Sequence, residues 1–224
     1  MQPINDWILK NKTLGEKVIE VAKRLYARNM LAAADGNISA RLDKDIIMIT
    51  PSGVAKAFIA LEDLAVVNLD NHILHGKASS ERLMHLEVYK RCPEAQAVVH
   101  AHPPTAIAWS VAKPEWTKLP SDCLSEVILA CGDIPFVPFA RPGTAEMGTK
   151  LSDFLPQFRA LILARHGALT WGESLEEAWM GMERIEHSAE ILWRAHQLGG
   201  LTSLPEEEIN VLREMRQKLG PKLL

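Results

Sequence analysis

The sequence predicts an α/β domain built on a mixed, largely antiparallel sheet. Two early segments alternate like β-hairpins, strands and helices alternate afterwards, and one long amphipathic stretch follows. At 224 residues and 47% hydrophobic content, the chain suits a single domain, 1–224, that can bury a sizeable core. No internal repeat, low-complexity run or interdomain linker divides it.

Thr13-Leu14-Gly15-Glu16 has capping-box spacing, so a helix should follow with Val18, Val21, Leu25 and Tyr26 on its apolar face. Asp35-Gly36-Asn37 signals a turn. Ile38–Leu42 and Ile46–Thr50, joined at Asp43-Lys44, then read as a hairpin. Leu64–Leu69 and Ile73-Leu74 suggest a second hairpin around Asp70-Asn71. Ser79-Ser80 sits where a helix over Glu81–Arg91 would be capped. Ala97–His102 reads as a strand closed by Pro103-Pro104. A helix, a loop, a second helix and a short strand near Ile134–Pro138 follow. Gly143-Thr144 opens another helix and Ala160–Ala164 forms a strand. Leu175–Leu198 is the longest helical stretch, with Leu175, Ala178, Trp179, Met182, Ile185, Ala189, Leu192 and Trp193 at burial spacing. Pro205–Leu224 reads as one more amphipathic helix with a loose end, so the segment after residue 200 is expected to be mobile.

A formal net charge of −3 and the lack of any Lys/Arg stripe argue against a nucleic-acid partner. No apolar run is long enough to span a bilayer, and the N-terminus lacks the pattern of a secretory signal. Cys92, Cys123 and Cys131 are odd in number and irregularly spaced, which indicates packed, reduced thiols rather than a disulfide framework or zinc knuckle. A cytoplasmic protein is expected.

His100 and His102 lie two apart on a predicted strand, so both imidazoles leave the same face. Pro103-Pro104 places that pair at a sheet edge. His166 ends a second apolar strand, and Gly167 permits a sharp turn behind it. Three neutral imidazoles with an open fourth position suit a catalytic zinc ion, and Glu81 is the candidate carboxylate to complete the shell. Manganese or cobalt would accept the same donors. A structural zinc is disfavoured, because such sites close four fixed ligands and favour thiolates. Of the other histidines, His72 and His75 fall in loops. His85, His187 and His196 fall on helices as solvated or packed residues.

Three turn segments offer amides and hydroxyls to an anion: Gly36-Asn37 with Ser39, Thr50-Pro51-Ser52-Gly53, and Ser79-Ser80. Each is equally an ordinary turn or cap, and nothing in the bare sequence brings them together.

Read together, Asp35–Ser39, Ile49–Gly53, Ser79–Glu81, Val99–Pro103, Pro142–Thr144 and Arg165–Gly167 resemble the class II aldolase/adducin-head family. The resemblance runs from Trp7 to Gly200. It implies a three-layer α/β/α fold and a homotetramer with active sites between neighbouring subunits. By position it makes His100, His102 and His166 metal ligands, with Glu81 as ligand and base. Gly36, Asn37, Thr50, Ser52, Gly53, Ser79 and Ser80 would form the pocket for a substrate phosphate. Adducin heads, which act as interaction modules, lack the metal histidines that this chain keeps.

The implied chemistry is aldol cleavage of a ketose 1-phosphate to dihydroxyacetone phosphate and an aldehyde, through a metal-stabilised enediolate. Dehydration of a methylthioribulose-1-phosphate type substrate, 4-epimerisation or decarboxylation would share the first step. The chain departs from the fuculose-phosphate aldolases in lacking their tyrosines: only Tyr26 and Tyr89 are present. Asp122 and Glu126, four apart on an expected helix, fill the corresponding segment, and Glu126 is the candidate second acid/base. Arg165 is expected in a buried ion pair.

Overall fold

The computed structural model describes residues 5–224. Helix α1 (Asp6–Lys10) runs into α2 (Lys12–Ala27), and the first hairpin pairs β1 (Asn37–Asp43) with β2 (Ile46–Ile49). A second pairs β3 (Ala65–Asn68) with β4 (Ile73–His75), followed by α3 (Arg82–Arg91), β5 (Ala97–Ala101) and α4 (Pro104–Ala112). The remainder is α5 (Ser125–Ala130), β6 (Phe136–Val137), α6 (Ala145–Ser152), β7 (Ala160–Leu163), β8 (Gly167–Gly172), α7 (Leu175–Gln197) and α8 (Glu206–Leu219).

The strands form one sheet in the order β4-β3-β2-β1-β5-β8-β7-β6, antiparallel throughout except for the β6–β7 pair. Alternation along the strands feeds two cores. Ala97, Val99 and Ala101 of β5 join α2, α4 and α7 on one face, while Val98 joins α3 and α6 on the other. This is the expected three-layer α/β/α fold. Among the described residues no helix is long and apolar enough to cross a membrane.

Several local expectations fail for identifiable reasons. The Thr13–Glu16 capping box is not used, because Asn11 already caps the end of α1 and serves as the junction from which α2 starts. Tyr26 is 46% exposed and packs edge-on against Phe58 rather than joining Val18, Val21 and Leu25 in the core. Trp193 is likewise outside, at 48%. Strand β5 is central, between β1 and β8, so the His100–His102 pair stands at a strand end and not at a sheet edge. Strand β8 has no alternating apolar signature, so the sequence does not predict it. Its residues are buried throughout, as a central strand requires.

The chain's last residues are tied in where a loose end is expected. Leu223 is 4% exposed, its N–H donates to Glu177 Oε1 at 3.0 Å, and the Leu224 N–H donates to Ala130 O at 3.2 Å. Glu177 is a hub. Its Oε1 also accepts from Arg159 Nη1 at 2.8 Å and its Oε2 from the Glu173 N–H at 2.8 Å. Both side chains of the Arg159–Glu177 pair are nearly inaccessible, at 4% and 9%. Arg159 would keep its Glu173 contact at 3.0 Å, but the amides of Glu173 and Leu223 and one guanidinium nitrogen would lose their acceptor, so Glu177→Ala is expected to lose about 1–3 kcal/mol in urea unfolding. A loss within 1 kcal/mol would show that the pair is dispensable.

Candidate metal centre and anion pocket

The register of β1 against β5 sets Asn37 directly opposite His100, and β5 against β8 sets His100 opposite Leu169. His100 therefore projects from the sheet toward α3, at whose start stands Glu81. His102 continues the same side two residues on, with its backbone N–H bonded to Met30 O at 2.8 Å. His166 arrives from the turn between β7 and β8. The left-handed residue in that turn is Arg165 (φ 61°), so Gly167 is not what makes it. Gly167 is needed for clearance instead. A Cβ there would lie 2.6 Å from Ala101 O, 2.8 Å from His100 Cε1 and 3.0 Å from His102 Cδ2.

The three rings stand 4.8–5.0 Å apart, centroid to centroid. Glu81 lies among them, with Oε2 3.3 Å from His100 Nε2 and Oε1 3.1 Å from His166 Nε2. The outer ring atoms define the tautomers. His100 Nδ1 lies 2.8 Å from Ala168 O, which can only accept, so that nitrogen carries the hydrogen. His102 Nδ1 faces the Asp35 carboxylate at 3.3 Å, which makes the same demand. Both Nε2 lone pairs then point inward, 3.2 Å apart, beside a carboxylate. Such a cluster repels itself unless a cation lies within it. Ligand atoms of His100, His102 and His166 fall within 4.8 Å of one another, and histidines whose far nitrogens are held by a carbonyl and a carboxylate are the usual metal-binding arrangement. The donor set fits a divalent transition metal.

Electrostatics agree. Burial pulls His102 down to about 4, with His100 and His166 adding to the effect, so its ring is neutral and free to donate a lone pair at neutral pH. Burial alone would push Glu81 upward. The His100 and His166 contacts outweigh it and hold the carboxyl far below its usual range.

Behind Glu81 runs a chain of buried polar groups that sequence reasoning missed. Asn37 Nδ2 donates to Glu81 Oε2 at 2.9 Å, and Asn37 Oδ1 contacts His85 Nε2. His85 Nδ1 contacts Ser39 Oγ at 2.6 Å, which in turn lies 2.9 Å from Tyr89 Oη. Burial lowers His85 to about 3, so the ring is neutral. With Nε2–H donating to Asn37 Oδ1, its Nδ1 accepts from Ser39, and the Asn37 amide is oriented with NH2 toward the carboxylate. His85 gave no sequence signal beyond a histidine on a helix with an apolar face.

The three anion-type turns are joined by long-range backbone bonds. Thr50 N donates to Ile38 O at 3.0 Å, and Ile38 N donates to Thr50 Oγ1 at 3.1 Å, which binds the second turn to the first. Ser52 N donates to Lys77 O at 3.0 Å and Ser79 N to Thr50 O at 3.3 Å, which binds the third to the second. A pocket of about 470 Å³ results, lined by Gly36, Asn37, Ser52, Gly53, Ser79 and Ser80, with Glu81, His102 and His166 at its side. Thr50 does not line it: the residue is fully buried and its hydroxyl is spent on Ile38. Ser79 and Ser80 do not cap α3 either, since Glu81 occupies the N-cap and Ser79 Oγ accepts the Glu81 N–H at 3.2 Å. Ala34, Asp35, Lys56, Pro142 and Gly143 complete the lining and were not among the expected site residues.

Other candidates stand apart. Glu126 is exposed on α5 and outside this pocket. Asp122 lies in a separate 3-10 turn and pairs with Arg213 at 2.8 Å, so it shares no helix face with Glu126. Arg165 is exposed and forms no ion pair among the described residues; a buried pair is not what holds it.

A half-buried carboxylate among three imidazoles, beside a turn-lined pocket on this fold, defines a family. The profile of Class II Aldolase and Adducin N-terminal domain matches residues 16–193, and the chain belongs to that family. It is 30% identical over 196 residues to a 3-oxo-tetronate 4-phosphate decarboxylase of Escherichia coli K12, covering 85% of this chain and 91% of that one. It is 32% identical to an L-fuculose phosphate aldolase of Methanococcus vannielii, covering 79% and 93%. The crystal structure of YgbL from Escherichia coli superposes with a TM-score of 0.83 at 29% identity, covering 90% of this chain and 98% of that one.

Gly167→Ala is expected to weaken metal binding about 10- to 100-fold, as loss of support around a metal site does. Competition with a chromophoric chelator would measure it; unchanged affinity would mean that the rings do not need this clearance.

Proposed function

We propose that the chain is a zinc-dependent carbon–carbon lyase that forms the enediolate of a phosphorylated ketone and releases dihydroxyacetone phosphate. The preferred substrate in this reading is a 3-oxo sugar-acid phosphate, which loses carbon dioxide. The observation that carries it is Glu81, held between His100 and His166 at one side of a pocket walled by three anion-type turns.

In this reading His100, His102, His166 and Glu81 hold the metal, with manganese or cobalt as other ions the donors would take. When bound, the ion supplies a Lewis acid beside the substrate carbonyl. The turn amides of Gly36 and Gly53 and the hydroxyls of Ser52, Ser79 and Ser80 seat the phosphate, and so place the ketone beside Glu81. When the carboxylate at C1 leaves as carbon dioxide, the bonding pair stays on C2 and conjugates with the C3 carbonyl. Glu81, after taking a proton from solvent water, delivers it to C2, giving dihydroxyacetone phosphate and leaving hydroxide to the bulk. Asn37 keeps the carboxylate aligned through its amide hydrogen.

Aldol cleavage of a ketose 1-phosphate is the second reading, supported by aldolases among the relatives. It leaves the same enediolate but also needs a group to take the C4 hydroxyl proton. One protomer's pocket offers Glu81 for proton transfer, while Asp35 is engaged with His102. Glu126, exposed on α5, would serve only from a neighbouring subunit of the proposed homotetramer. Decarboxylation needs no such second group, and that difference sets the order. Reduced thiols and the absence of a membrane-spanning helix among the described residues suit a cytoplasmic setting.

The test offers zinc-loaded protein 3-oxo-tetronate 4-phosphate, L-fuculose 1-phosphate and L-ribulose 1-phosphate, reading dihydroxyacetone phosphate through a coupled reductase. Release from the first alone, reduced about 10²- to 10⁴-fold in Glu81→Gln, is expected. Release only from the ketose phosphates would replace decarboxylation with aldol cleavage. Release from none would overturn the lyase reading.

A further inference from the structure

Lys56 is 3% exposed, an unusual place for a lysine charge. Its Nζ donates to Ala34 O at 2.6 Å and Val54 O at 2.7 Å. An ammonium has three hydrogens, so one remains uncommitted. No carboxylate lies within 4.0 Å of it among the described residues, although Asp35 and Glu81 act on it from farther away. Burial pulls its pKa below the ordinary lysine value, while those two carboxylates oppose the shift. A buried charge without an adjacent counter-ion is costly, and a protein keeps one where a ligand completes it.

The surroundings identify that ligand. Lys56 lines the same pocket as Gly36, Ser52, Gly53, Ser79 and Ser80, where amides and hydroxyls gather and the acidic groups sit toward the metal side. Its two carbonyl bonds tie the residue before Asp35 to the residue after Gly53, clamping two of the three turns around the ammonium. The left-handed Gly36 and Gly53 leave the backbone bare on either side.

We propose that Lys56 is the specificity-determining cation of this pocket: its free N–H and charge meet a phosphate dianion and select phosphorylated over unphosphorylated substrates. The inference rests on the phosphate-pocket reading above. A charge-assisted hydrogen bond to phosphate is stronger than one from a neutral donor. Lysine here is a point charge, suited to a phosphate whose orientation the turn amides already define.

Lys56→Gln keeps an amide NH2 for the two carbonyls while removing the charge. Calorimetry on the zinc-loaded protein would compare inorganic phosphate, dihydroxyacetone phosphate and dihydroxyacetone. Expected is a loss of about 10- to 100-fold in affinity for the two phosphorylated probes, with dihydroxyacetone binding and zinc content unchanged. Equal affinity for phosphate in wild type and variant would overturn the role of Lys56, and so would an equal loss for dihydroxyacetone, which marks a merely structural clamp. Failure of the wild type itself to bind phosphate would sink the pocket reading on which the inference stands. Should the variant not fold, the ¹⁵N resonance of the Lys56 ammonium in the wild-type protein decides: a shift on adding phosphate supports the contact, and none refutes it.

Discussion

Two imidazole lone pairs are forced toward one point by acceptors on the far side of each ring, and a carboxylate is pressed in beside them. Much of the architecture follows from making that convergence possible. Ala168 O can hold His100 only because β8 is the neighbour of β5 in the middle of the sheet. Met30 O carries the backbone at His102 past the strand end, and Asp35 then turns its ring inward. Gly36 and Gly167 are bare because the chain passes too close for a side chain: a Cβ on Gly36 would stand 2.9 Å from His100 O. A sheet edge, where strands are short and mobile, would not hold these atoms to a fraction of an ångström.

The pocket beside the candidate metal centre is assembled differently. Its walls are loops, and loops need backbone partners if they are to be rigid. Here they partner one another: Ile38 with Thr50, Thr50 with Ser79, and Ser52 with Lys77. Thr50 illustrates the division of labour. Its hydroxyl serves as a joint between turns, leaving Ser52, Ser79 and Ser80 to line the cavity. The Tyr89–Ser39–His85–Asn37 chain does the same for Glu81, orienting a flexible amide by a series of groups that have no other freedom.

Local regularities made most of the fold legible, and long-range pairing made the rest invisible. A strand with histidines two apart dictates that both rings share a face, whatever surrounds it. Hairpins at Asp43-Lys44 and Asp70-Asn71 are likewise local facts. The union of three turns is not, because it depends on bonds between residues 12 to 29 positions apart. Strand β8 escaped because a fully buried strand does not alternate, and Gly167 at its start reads as a turn. Lys56 escaped because burial of a charge cannot be inferred from a single lysine in an apolar segment. The docked C-terminal end escaped for a related reason: Leu223 fills the space above Gly181, and nothing near it in sequence announces that partner.

The identity of the bond that breaks is the one property that the metal-side residues leave open, for a chemical reason. Decarboxylation and aldol cleavage differ only in the group departing from the carbon next to the ketone. Whatever leaves, the pair left behind is stabilised by the same carbonyl and takes the same proton. A site that stabilises the shared enediolate serves both reactions, so its residues carry no information about the leaving group. That information must lie where the departing group sits, at the end of the pocket away from the anion-type turns. An aldolase needs a proton acceptor at that end and a decarboxylase needs only room. The proposed loss of carbon dioxide rests on that difference, since beyond Glu81 the one other carboxylate lining the pocket among the described residues, Asp35, is engaged with His102.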